Sequence, residues 1–167
     1  MRGRRRLLGR VGRLLLSVPL AGCGFQLRRP PTLPFGTVQL VGFPQRSPFT
    51  EELRRGIEAS GSTRVVESVA QAQVVLEALE DQRDKSVAAQ TAAGQVREFT
   101  LRTTLRFRVR TPAGRLLIRD TELQLSRDMT YNETNALAKE QEEAILYRAM
   151  QRDIVDQVLR QLAAVTL

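Results

Sequence analysis

The single cysteine, Cys23, sits behind Leu20-Ala21-Gly22, and its thiol is the most chemically pointed feature of the chain. A thiol preceded by small residues is open to an enzyme that must grip the extended backbone there. Lys139, between Ala138 and Glu140, is a second candidate: a cation near a helix start opposes the positive end of the macrodipole, so local electrostatics do not explain it. A third group is the carboxylates Glu140, Glu142 and Glu143, which suit the first turns of a helix better than catalysis. The fourth is the arginine row Arg102, Arg106, Arg108 and Arg110, which reads as one solvated sheet face with cross-strand ion pairs.

Much chemistry is excluded by inventory. There is no histidine and no tryptophan among the 167 residues, so a histidine base, a His-ligated metal and a Cys–His nucleophile are all ruled out. One cysteine cannot close an internal disulfide. No Gly-rich phosphate cradle and no partnered base are present, so no reaction class can be assembled: the expectation is a non-enzyme with no cofactor and no metal. The formal charge is +8, from 26 basic against 18 acidic residues, but six arginines and no acid fall in residues 1–22. Residues 23–167 carry 20 basic and 18 acidic side chains, or +2. That balance, with 5% aromatic residues, argues against a nucleic-acid partner.

Residues 1–13 form a basic n-region, and Val11–Leu20 a short apolar run about half the length a bilayer span needs. The layout predicts a signal peptide over residues 1–22. Leu20-Ala21-Gly22-Cys23 resembles a bacterial lipobox, in which the thiol takes a diacylglycerol and becomes the acylated N-terminus after cleavage. The competing reading is a buried free cysteine behind a failed signal peptide. Two or three acyl chains of the palmitate kind hold a membrane where one holds only marginally. Gly24, in place of the aspartate that marks inner-membrane retention, favours the periplasmic side of the outer membrane.

Residues 23–36 then read as lipid anchor and Pro-rich tether, because Pro30, Pro31 and Pro34 neither extend a helix nor donate to a sheet. One domain follows, 37–167. A strand is predicted over 37–41. A helix over about 48–60 has Ser47 as N-cap, Phe49, Leu53 and Ile57 as apolar face, and Gly61 as stop. A strand runs from 73 to about 85, and the low-charge stretch 87–95 reads as a hairpin tip. Strict alternation marks a strand over 99–110, with Phe99, Leu101, Thr103, Leu105, Phe107 and Val109 on the buried face.

Residues 111–115 predict a short hairpin loop with Gly114 left-handed. Pairing Thr111 with Arg115 then sets Leu105 against Thr121, Leu101 against Leu125 and Arg106 against Asp120, leaving Phe107 against Arg119. A long helix covers about 135–164, with Ala144, Tyr147, Met150, Ile154, Val158, Leu162 and Val165 as its stripe. The predicted fold is α+β: a two-layer sandwich of two helices on a four-stranded, mostly antiparallel sheet.

Several stretches resemble one family. Cys23-Gly24-Phe25-Gln26-Leu27-Arg28 is similar to the mature N-terminus of the LptE (RlpB) lipopolysaccharide-assembly lipoproteins. Leu125-Ser126-Arg127-Asp128, Tyr131-Asn132, Leu137-Ala138-Lys139-Glu140, Arg152-Asp153 and Leu159-Arg160-Gln161-Leu162 resemble its last strand, loop and helix. The resemblance implies an outer-membrane lipoprotein that plugs and helps assemble the LptD β-barrel and binds lipopolysaccharide on its way to the outer leaflet. It also implies basic contacts near the hairpin tip and at the last helix's start. Lys139 matches the second. For the first, Ala92 and Ala93 stand before Gly94, and the nearest cations are Arg97, Lys85 and Arg83. A scaffold of the envelope without a lipid ligand is the alternative.

Overall fold

The computed structural model describes residues 31–44 and 47–167; the signal-peptide segment, Cys23 and the residues up to 30 lie outside it. The elements are β1 (Thr37–Val41), α1 (Pro48–Glu58), β2 (Arg64–Val65), β3 (Val74–Gln90), β4 (Val96–Arg110), β5 (Leu116–Thr130) and α2 (Ala136–Ala163), with single 3-10 turns at Val69–Gln71 and Glu133–Asn135. Strand order is β2-β1-β3-β4-β5. The two helices pack on this sheet, as expected of an α+β sandwich.

The sheet itself corrects the expectation of four mostly antiparallel strands. There are five, and they are mixed: β1 runs parallel to both β2 and β3, while β3, β4 and β5 are antiparallel. β2 has two residues, too few to show any periodicity. The parallel pairing follows from α1, which carries the chain back over the sheet between β1 and β2 as a crossover must. Val74, Val75 and Leu76 are all fully buried, the continuous apolar run of a strand covered on both faces.

Local chemistry sets the helix ends. The Ser47 hydroxyl accepts from the Thr50 amide at 3.0 Å, Pro48 takes the first helical position, and Phe49, Leu53 and Ile57 are buried. Gly61, with φ +71°, ends the turn after α1. α2 buries Tyr147, Met150, Ile154, Val158 and Leu162 of the predicted stripe, and Val165 beyond its end, but Ala144 is exposed. Gln151, Val155 and Leu159 are buried instead, because α1 crosses there: a Cβ at Gly56 would lie 2.8 Å from Leu159 Cδ1.

The hairpins both differ from expectation. β3 continues to Gln90, so the tip shrinks to Thr91–Gln95, with Gly94 at φ +79°. At the other hairpin Thr111 does bond Arg115 (2.9 Å) and Gly114 is left-handed at φ +92°. Two irregularities then slip β5 by two residues, setting Phe107 against Thr121, Leu105 against Leu123, Leu101 against Arg127 and Arg106 against Glu122. A two-residue slip keeps every side chain on its face. It also removes Arg119 from the site opposite Phe107 and leaves Arg119 and Asp120 exposed.

The main core gathers Leu53, Ile57, Leu76, Leu105, Phe107, Ile154, Val158 and Leu162; a second cluster, Leu101, Met129, Tyr147 and Met150, lies toward the hairpin tip. Leu33 and Phe35, assigned to the tether by their prolines, are buried in the main core at 3% and 4% exposure, so ordered packing begins before Thr37. Their backbone is fixed too: the Thr63 hydroxyl donates to the Phe35 carbonyl at 2.5 Å.

Candidate functional site

The outer ends of β3, β4 and β5 and the start of α2 meet at one end of the molecule. Lys85 lies opposite Leu101 on β4, hence on the helix-covered face, and its ammonium reaches Glu143 of α2 at 2.6 Å. The same ammonium sits 4.3 Å from the Phe99 ring centroid, a cation–π contact. Phe99 in turn meets Tyr131 edge-on, ring centroids 5.1 Å apart. Lys139, in the first turn of α2, donates to the Thr130 hydroxyl (3.1 Å) and to Glu142 (2.8 Å).

Lys85 and Lys139 line one pocket of about 80 Å³ with Met129, Tyr131, Ala136, Glu140 and Glu143. Arg97 shares this end of the sheet without lining that pocket; its guanidinium bonds Gln95 at 3.5 Å, while its carbonyl accepts from the Tyr131 amide at 2.7 Å. Two of the three predicted cations are thus brought together, and the third stands at the hairpin beside them. Arg83 lies further in: it bonds Gln151 at 2.6 Å, stacks 5.4 Å from the Tyr147 ring and lines a separate groove of about 530 Å³ with Pro48, Glu140, Ala144 and Arg148.

The carboxylates behave differently from their sequence reading. The first turn of α2 holds no acid. Glu142 and Glu143 answer Lys139 and Lys85. Of the aromatic members, strand alternation and helix stripe explain Phe99 and Tyr147 as core positions, and Tyr131 stands in the sequence only within a family-like stretch. Tyr147 donates to the Asp84 carbonyl at 2.7 Å, and burial, with Glu143 and Asp84 nearby, pushes its phenol above the usual range.

The open face of the sheet carries the arginine row as expected. Arg108 and Arg110 bond Glu77 at 3.0 and 3.3 Å, and Arg106 lies 3.9 Å from Glu80. The Arg108 bond, aided by Arg110 and opposed by burial, holds the Glu77 carboxyl below the usual range. Asp81, across from buried Leu105 on the helix-covered face, is pushed the other way by burial, with Arg83 opposing. Among the described residues no group of His, Cys, Asp and Glu side chains is placed to hold a metal, and no helix is long and apolar enough to cross a membrane.

The sequence pattern of the family described as LptE, lipopolysaccharide-assembly, matches residues 35–162. Curated protein sequences give no match. Among solved structures, lipoprotein B of Nitrosomonas europaea is 31% identical, with TM-score 0.69 over 84% of this chain and 91% of that one. The rare lipoprotein B of Shewanella oneidensis (21% identity, TM-score 0.65, 77% of this chain and 95% of that one) shares the fold. So does a minor lipoprotein of Acinetobacter baumannii, at 19% identity and TM-score 0.62, over 81% and 98% of the two chains.

Proposed function

This chain belongs to the LptE lipopolysaccharide-assembly family, and from that membership we propose that it is an outer-membrane lipoprotein which seats in the LptD β-barrel and binds lipopolysaccharide through Lys139, Lys85 and Arg97. The carrying observation is the convergence of Lys85 and Lys139 in one pocket, beside Arg97 and next to an uncharged hairpin tip. Lipid A phosphates are polyanionic and cross-bridged by divalent cations. An ammonium competes for them as a point charge and loosens the aggregate. No covalent bond changes, so the protein acts by binding and positioning, not catalysis.

The two lysines already have carboxylate partners, and this observation favours the scaffold reading without a lipid ligand. Magnitudes weigh against it. The Lys85–Glu143 and Lys139–Glu142 pairs are partly solvated, with side-chain exposures between 19% and 45%. Such pairs are worth about 0.2–1 kcal/mol, so exchanging a singly charged glutamate for a more highly charged phosphate group costs little.

Lys139→Glu tests the assignment. It places like charges at residues 139 and 142 and removes the ammonium, so binding of lipopolysaccharide by the domain is expected to weaken by about tenfold or more. Titration of purified lipopolysaccharide, read by fluorescence or by dispersal of its aggregates, measures it. Unchanged binding in a folded variant would leave the scaffold reading standing.

A further inference from the structure

Successive turns of α2 meet successive residues of β3. Glu143 meets Lys85, Tyr147 meets the carbonyl of Asp84, and Gln151 meets Arg83. The ammonium thus faces a carboxylate, whereas the guanidinium faces a neutral amide. That amide is fixed. Gln151 is 3% exposed, its nitrogen donates to the Glu52 carboxylate of α1 at 2.6 Å, and its oxygen accepts from Arg83, also at 2.6 Å. The Tyr147 ring, 5.4 Å from the guanidinium carbon, holds Arg83 from another side. Among the described residues no carboxylate forms an ion pair with Arg83; Asp81, two residues further in, acts on it at longer range. A guanidinium carries five donors in a planar fork, so Arg83 is oriented with donors to spare.

Arg148 follows Tyr147 on α2, is exposed, and has no hydrogen bond or ion pair with any described residue. Arg83 and Arg148 line the same groove of about 530 Å³. This groove and the small pocket of Lys85 and Lys139 share two lining residues, Glu140 and Glu143. Along α2 the order is therefore ammonium, carboxylates, guanidinium. At the rise of a helix and of a strand, Lys139 and Arg148 are about 13 Å apart, and Lys85 and Arg83 about 7 Å. One phosphate cannot reach both pairs of cations. A sugar unit with a phosphate at each end can.

We propose that the Arg83–Arg148 groove is a second anion subsite of the same ligand, so that the protein reads a saccharide bearing two phosphates; this rests on the lipopolysaccharide-binding reading above. One phosphate takes Lys85 and Lys139, the other takes Arg83 and Arg148. Glu143, released from Lys85, and Glu140 then accept from the hydroxyls of the sugar between them. The carboxylates that would repel a lone anion thereby select for the joined pair.

Titration of the full-length acylated chain in detergent, with lipid A bearing two phosphates and with lipid A bearing one, tests this. The unaltered protein is expected to prefer the two-phosphate form by about tenfold or more. Arg148→Glu is expected to abolish that preference, leaving affinity for the one-phosphate form within about threefold and the unfolding midpoint unchanged. Arg148→Gln, which removes only the charge, is expected to reduce the preference by about threefold. Equal affinity of the unaltered protein for the two forms, or equal weakening of both by Arg148→Glu, overturns the second subsite and leaves lipopolysaccharide binding intact. Failure to bind either form overturns both. Vesicles of an anionic phospholipid that compete as well as two-phosphate lipid A assign these cations to a membrane surface and overturn the proposal.

Discussion

Cys23→Ser is expected to abolish labelling of the chain with palmitate and to remove it from the outer-membrane fraction. The effect is all-or-none because the proposed anchor depends on one atom. Serine keeps the size and the small-residue context but offers no thiolate to form the thioether, so no diacylglycerol is attached. Each buried CH₂ of an acyl chain contributes about 0.8 kcal/mol, and two or three chains together make attachment stable where one does not. No helix among the described residues offers a substitute span. Membrane fractionation with metabolic labelling reads the result. A Cys23→Ser chain still labelled, and still in the outer membrane at the level of the unaltered protein, would mean that the thiol is not the anchor.

Phe107→Ala is expected to destabilise the domain by about 3–5 kcal/mol, a large share of the roughly 5–15 kcal/mol that holds an ordinary domain together. Phe107 is fully buried at the centre of the main core, on the face of β4 that meets both helices. Its neighbour strands set Ala78 and Thr121 against it, both too small to close the cavity. Arg102→Ala, on the opposite face and exposed, is expected to change stability by no more than about 0.5 kcal/mol. Chemical denaturation of the two variants compares the faces directly. Equal costs would contradict the division of β4 into a covered and a solvated side.

That division was legible because it rests on a period of two sustained over a dozen residues. α1 was legible for a similar reason, with an N-cap, a proline and three apolar residues at four-residue spacing. β2 was not, since two residues carry no period, and with it went the parallel half of the sheet. The β5 register failed at one place. A straight ladder left Phe107 facing Arg119, and that mismatch was the mark of the irregularity that relieves it. Burial of Leu33 and Phe35 was hidden by the prolines around them: proline forbids regular structure but not packing.

At the candidate site the residue types were readable and their partners were not. Lys139 stood out by opposing the helix macrodipole. Its bond to Thr130 and the shared pocket with Lys85 need the tertiary fold, because Lys85 and Lys139 are brought together only when α2 folds back over β3. Glu142 and Glu143 serve these lysines rather than the helix macrodipole.

Purification of the acylated chain from detergent-solubilised outer membrane, followed by native mass spectrometry, bears most directly on the whole account. A one-to-one complex with a large β-barrel protein, with lipopolysaccharide retained by the wild-type chain and lost from Lys139→Glu, is the predicted result. Recovery of the chain alone, with neither barrel nor lipopolysaccharide, would contradict it.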